Sequence, residues 1–458
     1  MKTISTLIAA GTLLAIAATA QPRYTVTDLG TLGGTYSYAY GINSVLGWVA
    51  GGAATPSQTN GVAQTAFLAP GFGRLINLGT LGGEACPDCN SNGAAPNIFG
   101  EVAVVSETSD NTDPNGEDFC GMGTHRQCLA AIWQGGRLKA LPTLPGGNNA
   151  QVYWLNNRGQ ATGVSENGTS DSTCSAATPF QKLQFEAVKW QANGEIQELV
   201  PLNGDTVAFG FGINDNSQVI GVSGLCSNTS APPVSPASDA PHGVLWETDG
   251  SPVDLGTLGG EPAFNVPSAI NDRGEIAGAS RSSTDGNIHP FLWTKETGMQ
   301  DLGTFPGAIV TGITCCNTLN NLGEAVGVTA DSSFNTRAFL WQNNVLTDLN
   351  TLISADSPLY LTIGSSINDS GQIAGNAIVK SSCPATAPGT PPAWQANQGA
   401  CTEVHAFLAT PCGQHSGAEA CNDDQPVTAA KVDESSERPR MVLPENARKV
   451  LRLRLGGR

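Results

Sequence analysis

Cys86 and Cys89 stand in the string CPDC, with Cys120 and Cys128 downstream. Four thiolates at such spacing can hold a tetrahedral zinc, and in an oxidising compartment the same residues form disulfides. The chain has 12 cysteines. Cys174, Cys226, Cys383, Cys401, Cys412 and Cys421 are further disulfide candidates, and Cys315 and Cys316 are adjacent. Disulfides are the expectation for a secreted chain and zinc the alternative. Connectivity cannot be read from the sequence.

Other strings carry a chemical suggestion and a plainer one. DLGTLGG at 28–34 and 254–260 resembles a phosphate cradle, but no helical pattern follows it and the lysine of a P-loop is missing. A turn reused between repeats fits better. The IND strings carry Asp215, Asp272 and Asp369. One carboxylate per turn falls short of the six to eight oxygens that Ca²⁺ takes, so an Asx-type turn and no cofactor are expected, with Ca²⁺ the alternative. His242, His289 and His405 recur at one repeat position, where an imidazole bonding a loop is expected rather than a metal triad. Neither G-x-S-x-G nor H-E-x-x-H occurs. Asp28, Asp254, Asp301 and Asp348 share a repeat position and are the acids that ring symmetry could gather for glycoside chemistry.

Composition narrows the partners. The formal net charge of −17 repels nucleic acid and anionic lipid. Charged residues make up 13%, against about 25% in average proteins, beside 55 Gly and 28 Pro. That balance reads as short strands joined by many turns. Lys2, the apolar run Leu7–Ala17 and ATA at 18–20 form a secretory leader, with cleavage expected near Ala20. No other run is apolar enough to be read as a membrane span. The expected product is a secreted or periplasmic monomer.

The elements that must position these residues come from a repeat. INSVLGWVAG, LNNRGQATGVS, INDNSQVIGVS, SAINDRGEIAGAS, LNNLGEAVGVT and INDSGQIAGNA are copies of one segment, and NIFGEVAVV is a degraded seventh. Each is followed by a short apolar run such as HPFLW or AFLW, then by the DLGT element, whose copies start at Asp28, Asn77, Ala140, Glu198, Asp254, Asp301 and Asp348. Four short strands, A to D, fit this period, as in a propeller blade. Trp133, Trp190, Trp246, Trp293 and Trp341 end strand C and are expected between blades. The first strand D precedes the first A, while the seventh repeat ends at strand C. Tyr24–Leu29 is therefore expected to pair beside Ala406–Leu408. The fold class expected is all-β: a seven-bladed β-propeller of four-stranded antiparallel blades, closed by the N-terminal strand. The divisions are 1–20 leader, 21–411 propeller, and 412–458 a cysteine-containing polar linker and basic tail.

Long insertions fall between strands B and C, at 52–64, 106–127, 166–185, 224–241 and 378–404, on the face that the DLGT links share. Most cysteines lie there, and this is the face expected to work.

HAFLA at 405–409, HPFLW at 289–293 and RAFLW at 337–341, with INDxGxIxG before and DLGTLGG after, resemble the bacterial extracellular HAF repeat. The resemblance spans about 24–411 and is weakest in the second repeat. It implies secretion and a propeller-like array, and no established chemistry. Two functions follow as expectations. One is a binding or interaction module for a carbohydrate, cell-surface or protein ligand. The other is a polysaccharide hydrolase or lyase with channel carboxylates.

Overall fold

The computed structural model describes residues 23–43, 45–56, 64–70, 74–177, 181–227, 229, 242–313 and 317–413. The expected leader, Cys315, Cys316, Cys421, most of the fourth insertion and the tail from 414 lie outside them.

The described chain is all-β, apart from short helical turns in loops and links. It forms seven antiparallel four-stranded units. In the third unit, strands A to D are Ala150–Leu155, Ala161–Ser170, Leu183–Trp190 and Ile196–Leu199. The fifth and sixth units touch through one parallel bridge, Ile288 to Val310, and so merge into a single sheet. The sixth unit's strand A starts at Ala308–Gly312, ahead of Cys315 and Cys316, and resumes at a bridge from Leu319 to Ala325.

The seventh unit takes its fourth strand from the other end of the chain. Tyr24–Asp28 pairs antiparallel with Val404–Pro411, Val26 opposite Ala409 and Asp28 opposite Phe407, and the Leu29 amide donates to the Ala406 carbonyl. The pairing falls where the spare strand D was expected. The first unit's strand A, Ser37–Ile42, packs on the seventh unit's Ile373–Val379 and Val404–Pro411, much as each later strand A packs on the unit before it.

The core is divided among these interfaces. Ala39, Ile42 and Phe67 of the first unit cluster with Ala374, Ala406 and Leu408 of the seventh, all nearly inaccessible to solvent. Tyr24 packs with Leu349, Leu352 and Phe407. Unit-to-unit burial supplies the apolar contact that one twisted sheet cannot provide alone. Trp190 and Trp246 lie in such clusters, and their indole N–H groups donate to the Pro142 and Val200 carbonyls at 2.8 and 2.7 Å.

One consensus glycine has a backbone cause. In five units strand A carries a bulge three residues before the repeat asparagine, at Tyr40, Tyr153, Phe211, Ser268 and Ser365. The strand B glycine sits against that distortion. A Cβ on Gly163 would lie 1.9 Å from the Gln151 carbonyl oxygen, and one on Gly221 would lie 1.7 Å from that of Phe209. The second Gly of INDxGxIxG is therefore required by the bulged neighbour.

Candidate functional site

The A strands are innermost, and their A–B turns surround a cavity of 190 Å³ that residues from all seven units line. Its wall carries Ile42, Leu155, Ile213, Ile270, Leu319 and Ile367, with the repeat asparagines at its rim.

Those asparagines form a chain of hydrogen bonds. Each donates Nδ2 to the backbone carbonyl of the next: Asn97 to Asn156, Asn156 to Asn214, Asn214 to Asn271, Asn271 to Asn320, Asn320 to Asn368, and Asn368 to Asn43. The distances run from 2.9 to 3.4 Å. Each Oδ1 accepts two amides of its own turn, as Asn271 does from Arg273 and Glu275. The Asn43 Nδ2 is buried without a hydrogen-bond partner among the described residues. In the first unit Gly47 stands four residues after the asparagine, where the other units carry Glu or Gln.

The aspartates of IND do a different job from the one expected. The turn is capped by the asparagine, while the aspartate reaches the preceding unit. Asp215 accepts the Asn157 amide and Nδ2, Asp272 accepts the Asp215 amide, and Asp369 accepts the Asn321 amide and Nδ2, the amide contacts all at 2.8 Å. Bonding between units, not a local Asx turn, explains these carboxylates.

The shared acids of the DLGT element lie on D strands at the periphery, away from the cavity. Asp28, Asp254 and Asp301 each accept the amide two residues on at 2.8 Å, and Asp348 accepts that of Asn350. Three also pair with strand C: Asp28 with His405, Asp301 with His289, and Asp348 with Arg337. His289 also meets Asp285, and His242 pairs with Asp205. The imidazoles therefore bond loops and links. The geometry gives none of these acids a place in a channel pair.

The opposite end of the A strands carries the stapled face. Disulfides join Cys86 to Cys89, Cys120 to Cys128, Cys174 to Cys226 and Cys383 to Cys401. Their sulfurs are thereby committed to covalent bonds rather than to a zinc centre. Cys412 is also disulfide-bonded. Arg126 bridges the first two staples' neighbourhoods, contacting Asp88 at 3.0 Å and Glu107 at 3.4 Å. The second and third units extend strand B to Thr112 and Ser170, beyond the loop boundaries expected, so part of each insertion is sheet.

Under these loops lies a buried acidic group. Glu117 accepts the Lys182 and Leu183 amides, tying the second unit's insertion to the third. Glu166 accepts the Asn148 and Asn149 amides. Burial first, then the neighbouring Glu117, push the Glu166 carboxyl well above the usual range. Glu186 is pushed up to about 8 by burial and then by Glu198.

The bulges identify residues that the sequence reading passed over. Tyr40, Tyr153 and Phe211 project from the innermost strands and stay half-buried. Tyr153 and Phe211 meet edge to face, with centroids 5.4 Å apart. Behind them Phe209, Phe185 and Phe119 continue the cluster to the Cys174–Cys226 and Cys120–Cys128 staples. The Tyr153 hydroxyl donates to Gln151, whose amide donates to the Phe119 carbonyl. The available signal was an aromatic residue three before the repeat asparagine, where the other units carry Ala, Ser or Asn.

No family model matches the sequence, and no curated protein matches it. Solved structures show a low-scoring likeness to the chain. A streptogramin B lyase is 11% identical with a TM-score of 0.45, over 85% of this chain and 98% of that one. Puromycin hydrolase is 12% identical with a TM-score of 0.46, over 74% and 50%, so the chain spans about half of its length. TolB from Acinetobacter baumannii is 12% identical with a TM-score of 0.38, over 70% and 63%. No helix among the described residues is long and apolar enough to cross a membrane.

Proposed function

We propose that the chain is a secreted, closed seven-bladed propeller of HAF-type repeats that binds ligands on its disulfide-stapled, loop-rich face. Closure is supported by the strand pairing of Tyr24–Asp28 and by the asparagine link from Asn368 to Asn43. Secretion is supported by the leader pattern and by four disulfides.

The binding reading rests on one observation above others. Half-buried Tyr153 and Phe211 are continuous with rigidly held loops and have hydrogen-bonding groups beside them. Aromatic faces next to hydroxyl and amide groups suit the alternating C–H and O–H surfaces of a neutral sugar. Disulfides reduce the loop-ordering cost that binding would otherwise carry. The hydrolase or lyase reading has less support, because Asp28, Asp254, Asp301 and Asp348 lie on peripheral D strands and are committed to their own turns, three of them also to side chains of strand C.

A glycan array with the full chain tests this reading. Retention of a neutral glycan is expected, with at least tenfold weaker binding for Tyr153→Ala and Phe211→Ala. Retention unchanged by both substitutions, or product release from a polysaccharide without stable binding, would overturn it.

A further inference from the structure

One cross-strand position on strands C and D changes its chemistry around the units. In the fifth, sixth and seventh units Phe291, Phe339 and Phe407 of strand C stand opposite Asp301, Asp348 and Asp28. The residues two places earlier, His289, Arg337 and His405, lie diagonally from those acids and pair with them at 2.9–3.2 Å. The fourth unit has His242 and Asp254 at these places, with the imidazole turned to Asp205. The first two units carry uncharged residues there, Thr65 with Asn77 and Leu129 with Ala140.

The third unit carries two acids. Val188 stands opposite Glu198, so Glu186 occupies the place of the later units' His or Arg, and Glu198 that of their Asp. Glu186 is only 4% exposed. Asn167 donates to its Oε1 at 3.3 Å, while its Oε2 is buried without a hydrogen-bond partner among the described residues. No Lys, Arg or His among those residues pairs with either acid. Glu198 is exposed, and its charge adds to burial in pushing the Glu186 carboxyl up. A buried carboxylate oxygen without a donor, beside a second acid, is costly unless a cation or a proton stands with it.

We propose that Glu186 and Glu198 bind a Ca²⁺ ion, which takes the place that an imidazole or guanidinium holds between strands C and D of the later units. The site is distinct from the aspartates of the A–B turns, which are committed to bonds between units. Two carboxylates balance one divalent charge, as Asp348 balances Arg337 in the sixth unit. The donors are oxygen only, which selects a hard cation, and Ca²⁺ accepts irregular geometry more readily than Mg²⁺. Asn167 positions the Glu186 carboxylate and leaves Oε2 for the ion, while water entering beside exposed Glu198 completes the coordination. Among the described residues no three His, Cys, Asp or Glu side chains group to hold a metal. The site is therefore weak, in the range of about 10⁻⁴–10⁻³ M found for extracellular calcium modules. The ion fastens the short strand D, Ile196–Leu199, to strand C, Leu183–Trp190.

The test titrates the full chain, freed of metals by a chelator, with CaCl₂ in a calorimeter. Binding with a Kd of about 10⁻⁴–10⁻³ M is expected, together with a Tm that rises when Ca²⁺ is added. Glu198→Gln changes an exposed side chain and leaves the core intact. It should weaken binding at least tenfold and abolish the rise in Tm. Glu186→His places the later units' imidazole opposite Glu198, and should remove binding while keeping a cooperative thermal transition. No binding by the parent at about 10 mM Ca²⁺ would overturn the proposal. So would equal affinity in the parent and Glu198→Gln, which would place the ion elsewhere on this acidic chain.

Discussion

His405 Nδ1 lies 2.9 Å from both carboxylate oxygens of Asp28, joining residues 377 positions apart in the chain. The pair fastens the N-terminal strand to the seventh unit from the side, while the strand's own hydrogen bonds hold it edge to edge. Burial pushes the Asp28 carboxyl up, but the hydrogen bonds from His405 and the Gly30 amide outweigh it and leave it below the usual range. Its stabilising contribution is therefore present above the unfolded value of about 3.9 and is lost as pH falls through the lowered folded value. Asp28→Asn is expected to cost about 0.5–1 kcal/mol at pH 7, modest because the side chain is partly exposed. The cost should shrink as pH falls below about 3.9, and denaturant melts at pH 7 and in acid check this.

The asparagine chain predicts a position-dependent response to one isosteric change. Asn271→Asp replaces a donor with an acceptor facing the Asn320 carbonyl and the Glu275 carboxylate, now 3.0 and 2.6 Å away. A loss of about 3 kcal/mol or more is expected. Asn43→Asp keeps the oxygen that caps Val45 and Leu46 and removes only an amide that has no partner among the described residues. Its cost should be smaller by about 2 kcal/mol. Equal losses in urea melts would mean that the inter-unit donors carry little.

Much of this architecture was legible because the repeat consensus records backbone needs. Asn at the turn, Gly in strand B and Trp at the end of strand C each answer a steric or hydrogen-bonding demand that recurs in most units. Strand order followed from counting segments, and the lone D element at Tyr24 followed from the incomplete seventh repeat. The division of labour between Asn271 and Asp272 was not legible. Turn propensity explains both residues locally, and the bonds to the next unit arise only when units stack. Tyr153 and Phe211 were missed for a related reason. A bulge shifts the period-2 alternation by one residue, so the side chains that it re-aims look like ordinary strand positions. The extended B strands of the second and third units were hidden by the polar composition of residues 106–112 and 166–170.

Glu186 predicts weaker stability on the alkaline side. Its Oε1 accepts from Asn167, its Oε2 is buried without a partner among the described residues, and its carboxyl titrates at about 8. A raised folded value means that the neutral form is favoured by folding. Its contribution is complete below the unfolded value of about 4.3 and is lost as pH rises through about 8. Stability from this group should fall by up to roughly 1.4 kcal/mol per pH unit within that window. Glu186→Gln, which keeps a neutral side chain of the same shape, should flatten the decline in Tm between pH 5 and 8.5. A slope identical to the parent would show that the carboxyl ionises at no cost to the fold.

The proposed closure of the ring is tested most directly by removing residues 23–30 and following thermal unfolding. Without that strand the edge of Val404–Pro411 is open, Tyr24 leaves the cluster with Leu352 and Phe407, and the first unit loses its covalent register against the seventh. A lower Tm by several degrees, an early transition and faster amide exchange in 359–411 are predicted. A truncated protein that melts at the parent temperature in one transition would contradict closure by the N-terminal strand.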